Sequence, residues 1–119
     1  MAEKIKPANQ LSSISVKLGN KILLVRLNEI VFFEADEKYV TIKTFEKEYI
    51  IDICLKSLEE RLPENFIRVQ RAFIINRNYI IELNKHFMGR FIIVMNDKNH
   101  TRIVTGNSYR EKIITYLDL

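Results

Sequence analysis

Between residues 12 and 105 the apolar residues come in short runs, each closed by a turn signal and most alternating with polar neighbours. A chain with that pattern has few folds open to it. Period-two runs rich in Ile and Val make strands, and short connections pair neighbouring strands antiparallel. Ile14, Val16 and Leu18 alternate, Gly19-Asn20 supplies a turn, and residues 22–27 return as a hairpin partner. Asn28-Glu29 breaks the run and residues 30–33 resume it. Ala35-Asp36-Glu37-Lys38 reads as a polar loop. Residues 39–44 then alternate, with Val40 and Ile42 on one face and Tyr39, Thr41 and Lys43 on the other. Glu46-Lys47 turns the chain again, into a continuous apolar strand over residues 49–53.

Two segments carry a helical period instead. Leu55, Leu58 and Leu62 share a face, Ser57 with Glu60 fits a capping box, and Pro63 ends the helix. At the C-terminus Ser108 with Glu111 fits a second box, and Tyr109, Ile113, Tyr116 and Leu117 form one apolar face. Between the helices lie two short strands split near Arg71-Ala72, a hairpin of residues 79–83 and 91–95 joined through Met88-Gly89, and a last strand over residues 101–105. The fold class expected is mostly β: an elongated arrangement of antiparallel sheets, about nine or ten short strands, one short internal helix and a short C-terminal helix. Residues 1–11 read as a flexible lead-in or interdomain linker, and residues 12–119 as one domain.

Chemistry is scarce. Three isolated glycines cannot build a phosphate loop. His86 and His100 lack Cys, Asp or Glu at ligand spacing, so no metal site and no cofactor is expected. No nucleophile motif accompanies the histidines. Glu34, Asp36 and Glu37, with Lys38 beside them, read as a solvated turn rather than a cation loop. The lone Cys54 lies in an apolar run and reads as a buried reduced thiol. No apolar run reaches transmembrane length and no signal-peptide pattern opens the chain, so a cytoplasmic, non-enzymatic protein is expected.

Charge gives the first functional pointer. Residues 1–65 hold 10 Lys and Arg against 11 Asp and Glu, whereas residues 66–112 hold 9 against 3. The basic half opens on FIRVQRAFIINRNYI, which sets Arg68, Arg71 and Arg77 among core-type residues. An arginine is costly to bury unpaired, so these either guard sheet edges or face an anion. Four places combine cations and amides at turns: Lys38-Tyr39 with Thr41, Arg68 and Arg71, Arg90 with Arg102, and Asn107-Ser108-Tyr109-Arg110. Each has a plain alternative as solvent face, surface charge or helix cap. Asn76, inside an apolar run, is expected to satisfy backbone groups at a turn.

Taken in order, LNEIVFFEADEKYVTI, LKSLEERLPENFIRVQRAFIINRNYI and NSYREKI resemble the LytTR-type DNA-binding domain, the effector module of many bacterial response regulators. The resemblance covers residues 14–117. It implies β-sheets whose loops enter successive major grooves and touch the minor groove between them, on direct repeats upstream of promoters. By that resemblance Lys38, Tyr39 and Val40 correspond to one major-groove reader, Arg71 to the middle contact, and Asn107 with Ser108 to the second reader. Two departures matter. Val40 is apolar where some members are polar, which passes the contact to Lys38 or Thr41. Asn107 stands where the family often has arginine, with Arg110 left for a phosphate. The family joins this module to a phosphorylated receiver domain, for which this chain has no room. The chain would then be a monomer alone or a dimer on DNA.

Two other classes compete. A single-strand binder would stack bases on exposed aromatics, with Tyr39 and Tyr79 as candidates. A module for acidic partners or membrane surfaces would use the basic half without base preference.

Overall fold

Phe32 and Phe33 are consecutive, point to opposite faces of one strand, and are both buried. That pair captures the architecture: a central sheet covered on both sides. The computed structural model describes residues 10–119. Its strands are β1 (Ser13–Leu18), β2 (Lys21–Arg26), β3 (Phe32–Ala35), β4 (Val40–Lys43), β5 (Glu48–Ile51), β6 (Phe66–Gln70), β7 (Phe73–Asn76), β8 (Ile80–Lys85), β9 (Phe91–Met95) and β10 (Arg102–Val104). Helix α1 spans Leu55–Arg61 and α2 spans Arg110–Leu117. The strands form a hairpin β1-β2, a five-stranded sheet ordered β5-β4-β3-β7-β6 and a three-stranded sheet ordered β10-β9-β8. All pairings are antiparallel, and the principal extents are 47 × 40 × 24 Å.

One face of the central sheet, through Phe33, Val40, Ile42, Ile51, Phe66 and Ile74, packs under the β1-β2 hairpin and α1. The other, through Phe32, Ile67, Val69 and Ile75, meets Ile93, Met95 and Ile103 of the three-stranded sheet and Ile113 of α2. Double burial explains why the middle strands carry apolar residues at consecutive positions, while β1 alternates. The β-rich fold, the strand split at residues 71–72 and the β8-β9 hairpin agree with the sequence reading. Asn76 agrees too. Fully buried, its Nδ2 donates to Ile30 O (2.9 Å), and its Oδ1 accepts from Asn78 N (3.0 Å) and Asn65 Nδ2 (2.9 Å).

Several details differ. The third strand starts two residues later than expected, because Ile30 and Val31 enter the cores from an irregular segment after a 3₁₀ turn. β5 is an edge strand beyond the reach of the second core, so Ile51 is buried but Ile50 is 60% exposed. Neither capping box forms. α1 must start at Leu55 to bury Leu55 with Leu58, which places Ser57 inside the first turn; there its hydroxyl meets the Cys54 thiol at 3.4 Å. Ser108 lies within a 3₁₀ turn, Asn107–Tyr109, and caps nothing. Cys54 is exposed rather than buried, since it precedes α1 at the surface, and hydrogen bonding to Ser57 holds its thiol below the usual range. The lead-in lies outside the described residues except for Gln10 and Leu11. Leu11 already packs on the first core and donates its N–H to Arg61 O (3.0 Å).

Candidate nucleic-acid interface

Antiparallel order places three connections at one end of the sheets: residues 36–39 between β3 and β4, residues 71–72 between β6 and β7, and residues 106–109 between β10 and α2. Backbone hydrogen bonds tie neighbours together. Ala35 N donates to Ala72 O (2.8 Å), linking the first to the second, and Gly106 N donates to Val69 O (3.0 Å), linking the third to β6. The register of β6 shifts between Arg68 and Gln70, a bulge that bends the strand just before the second turn. Gln70 spans the same gap, its Nε2 donating to Val104 O (3.0 Å).

In the first loop Asp36 is the organiser. Its Oδ1 accepts from Tyr39 N (2.9 Å) and Lys38 N (3.0 Å), and these bonds, Tyr39's the larger, hold its carboxyl below the usual range. Lys38 and Tyr39 are thereby thrust into solvent, Tyr39 at 50% exposure. Thr41 is half-buried on β4. Val40 is buried in the first core opposite Ile51, because the strand alternation turns it inward, so it presents no surface to a groove.

The second turn divides its arginines. Arg71 is exposed. Arg68 instead braces the turn: Nη2 donates to Arg71 O (2.5 Å), Nη1 pairs with Glu59 Oε1 (3.3 Å), and the side chain is only 18% exposed. This arrangement assigns Arg68 to support rather than to the surface, because a guanidinium on β6 reaches Glu59 of α1 across the sheet edge. Glu59 also receives Lys112 of α2 (3.4 Å).

At the third turn Asn107 and Ser108 are exposed, and Arg90 Nε donates to Asn107 Oδ1 (3.1 Å). Arg110 lies beside them, pairs with Glu111 (3.0 Å) and packs on Gly89. Arg102 is exposed on β10, without an ion-pair partner among the described residues, further from the turns. Arg77, undecided from sequence, sits at the opposite end over the Tyr116 ring (5.5 Å), and Tyr79 is pinned there by its hydroxyl bond to Asn28 O (2.5 Å). Glu59 and Gln70 escaped the sequence reading, which took Asp36 only as part of a solvated turn. Only Asp36 had a local signal, an Asx-turn residue opening a loop. Among the described residues no group of three His, Cys, Asp or Glu could hold a metal, and no helix is long and apolar enough to cross a membrane.

The β scaffold thus lines up turns bearing exposed cations and amides, side-chain types that can contact phosphates and base edges. The chain belongs to the LytTr DNA-binding domain family, which it matches over residues 20–118. It is 28% identical over 101 residues to sensory transduction protein LytT of Bacillus subtilis, covering 84% of this chain and 41% of that protein. To the positive alginate biosynthesis regulatory protein of Pseudomonas aeruginosa it is 38% identical over 80 residues, 67% of this chain and 32% of that one. To the heme-containing CO-sensing transcriptional regulator RcoM 1 of Paraburkholderia xenovorans it is 33% identical over 100 residues, 83% of this chain and 37% of that one. The chain therefore spans less than half the length of these relatives. A solved LytTr DNA-binding domain from Bacillus cereus has the same fold, with a TM-score of 0.82 at 24% identity over 92% of this chain and 99% of that one.

Proposed function

We propose that the chain binds double-stranded promoter DNA sequence-specifically, as the output domain of a response regulator acting on direct repeats. The observation that carries this reading is the row of three turns locked by the Ala35–Ala72 and Gly106–Val69 hydrogen bonds. Lys38 and Tyr39, Arg71, and Asn107 with Ser108 are the groups for base edges; Thr41 supports the first of them. Arginine pairs bidentately with guanine, and an exposed amide donates to purine acceptors. Arg90, Arg102 and Arg110 serve phosphate or hold those readers. Arg68 acts through Arg71, and Val40 through the core.

The greater length of the relatives supports attachment to a signal-receiving part, with two copies engaging adjacent repeats. The single-strand reading loses support because Tyr79, one of its two tyrosine candidates, is held at the far end from the turns.

The test is a gel-shift titration against random duplex, single strand and a promoter duplex with spaced direct repeats, at several salt concentrations. Promoter duplex should win at every salt, with log K falling against log salt at a slope of about −2 to −3 for three cations on phosphates. Equal affinity for random and promoter duplex would sink the specific-regulator reading.

A further inference from the structure

The connection between β8 and β9 lies at the same end of the molecule as the three turns. In the three-stranded sheet β10-β9-β8, antiparallel order sets the start of β9 beside the end of β10, and Gly106 N–Val69 O bridges that end to β6 of the five-stranded sheet. Thr105 N donates to Phe91 O (2.9 Å), and Phe91 N donates to Thr105 Oγ1 (2.9 Å). These bonds place the β8-β9 loop next after residues 106–109, as a fourth member of the row.

Its tip is apolar and bare. Phe87 is 78% exposed and Met88 82%, the most exposed of the large apolar side chains among the described residues. It is also held. His86 N donates to Arg90 O (2.9 Å), Arg90 N donates to Phe87 O (3.1 Å), and the His86 and Phe87 rings lie 4.9 Å apart. Met88 and Gly89 both adopt left-handed backbone, φ 57° and 76°, which is unfavourable for methionine. A Cβ on Gly89 would stand 2.7 Å from Arg110 Nε, so the loop sits directly against the start of α2. Cations flank the tip: Lys85 and Arg90 on either side of it in the chain, and Arg110, paired with Glu111, against Gly89. That charge complements the two phosphate strands between which a side chain must pass to enter a duplex.

Resting on the duplex-binding reading above, we infer that Phe87 and Met88 form a wedge that enters the DNA beside the site of Asn107, prying apart a base step in the minor groove and kinking the helix. Phe and Met are among the side chains suited to this: they replace base stacking with apolar contact and carry no polar group into the gap. The left-handed turn is what points both outward at once. Arg90 and Arg110 flank the wedge and neutralise the phosphates that the kink brings together. The wedge adds a preference for a flexible pyrimidine–purine step at a position no hydrogen bond reads.

The experiment uses the 119-residue chain and a duplex selected by it from a random pool. Bend angle is read by circularly permuted gel shift, and unstacking by 2-aminopurine fluorescence at successive steps. The chain should bend the duplex and brighten one step. The double variant Phe87→Ala, Met88→Ala should bind the same site roughly tenfold more weakly, with a smaller bend and no brightening, while Phe87→Leu retains part of both. Circular dichroism of the variants should match that of the parent, since the tip contributes nothing to either core. An unchanged bend and fluorescence in the double variant, with duplex binding intact, overturns the wedge and leaves the duplex-binding reading standing. Failure of the parent to select any duplex overturns both. Self-association of the parent without DNA that the double variant abolishes assigns the tip to a second copy of the chain and overturns the wedge.

Discussion

Arg90 and Asn107 stand 17 positions apart, and Arg90 Nε donates to Asn107 Oδ1 at 3.1 Å. The contact engages the amide oxygen; on the duplex-binding reading, the NH₂ of this exposed residue is the donor offered to base acceptors. Arg90→Ala should free the amide to rotate. It should weaken binding to the preferred duplex by about 1–2 kcal/mol and broaden base preference opposite Asn107. Lysine, lacking the planar fork, should rescue phosphate attraction but not the preference. Competition gel shifts with single-base variants of the site distinguish the two.

Arg71 and Arg68 should separate by readout. Arg71→Ala should cost about 1–3 kcal/mol on the preferred site and far less on random duplex, with an unchanged urea midpoint. Uniform weakening on both duplexes would demote Arg71 to a phosphate contact. Arg68→Ala should instead lower stability by about 1–2 kcal/mol, because it strips the Arg71 carbonyl and Glu59 of a charged partner, and should weaken binding only through the loosened turn.

Asn76→Ala removes a fully buried amide that serves Ile30 O, Asn78 N and Asn65 Nδ2. Stranding those groups should cost about 2–4 kcal/mol in denaturant unfolding. The fraction that remains folded should bind DNA as the parent does, since Asn76 lies at the end of β7 away from the turns.

Asp36 predicts a pH response confined to acid. Its carboxyl is depressed in the folded chain by the N–H groups of Tyr39 and Lys38. The loop bonds are therefore present above the unfolded value of about 3.9 and are lost as pH falls through the folded value. A carboxyl titration by NMR should place the midpoint below about 3.9, with the Lys38 and Tyr39 amide signals moving together. Loop order should be constant from about pH 5 to 8. A midpoint at or above that of an unfolded aspartate would remove Asp36 as organiser.

Much of the fold could be read from the chain because period-two runs and turn residues act locally. The β1-β2 hairpin at Gly19-Asn20, the split at residues 71–72 and the buried turn role of Asn76 all came from neighbours in sequence. Where contacts are distant, local pattern misled. Ser57 and Ser108 look like caps until the burial of Leu55 and the 3₁₀ turn at residues 107–109 move the helix starts. Cys54 looks apolar by its neighbours but falls where the chain surfaces. At the interface, the turns were legible as cation-rich breaks, but the division of labour was not. Val40 turns inward by strand parity, and Arg68 is captured by Glu59, nine residues earlier on α1. The apolar tip at Phe87 drew no notice, since exposed hydrophobes next to a glycine read as an ordinary turn.

Because the first two turns hang from the end of a sheet packed on both faces and the third is hydrogen-bonded to it through Val69 O, they share the rigidity of that sheet's backbone. Association with DNA should then proceed without a folding step. Its on-rate should track salt through electrostatic steering alone. Its heat-capacity change should correspond to the contact surface and no more, in contrast to proteins whose recognition loops condense on the duplex.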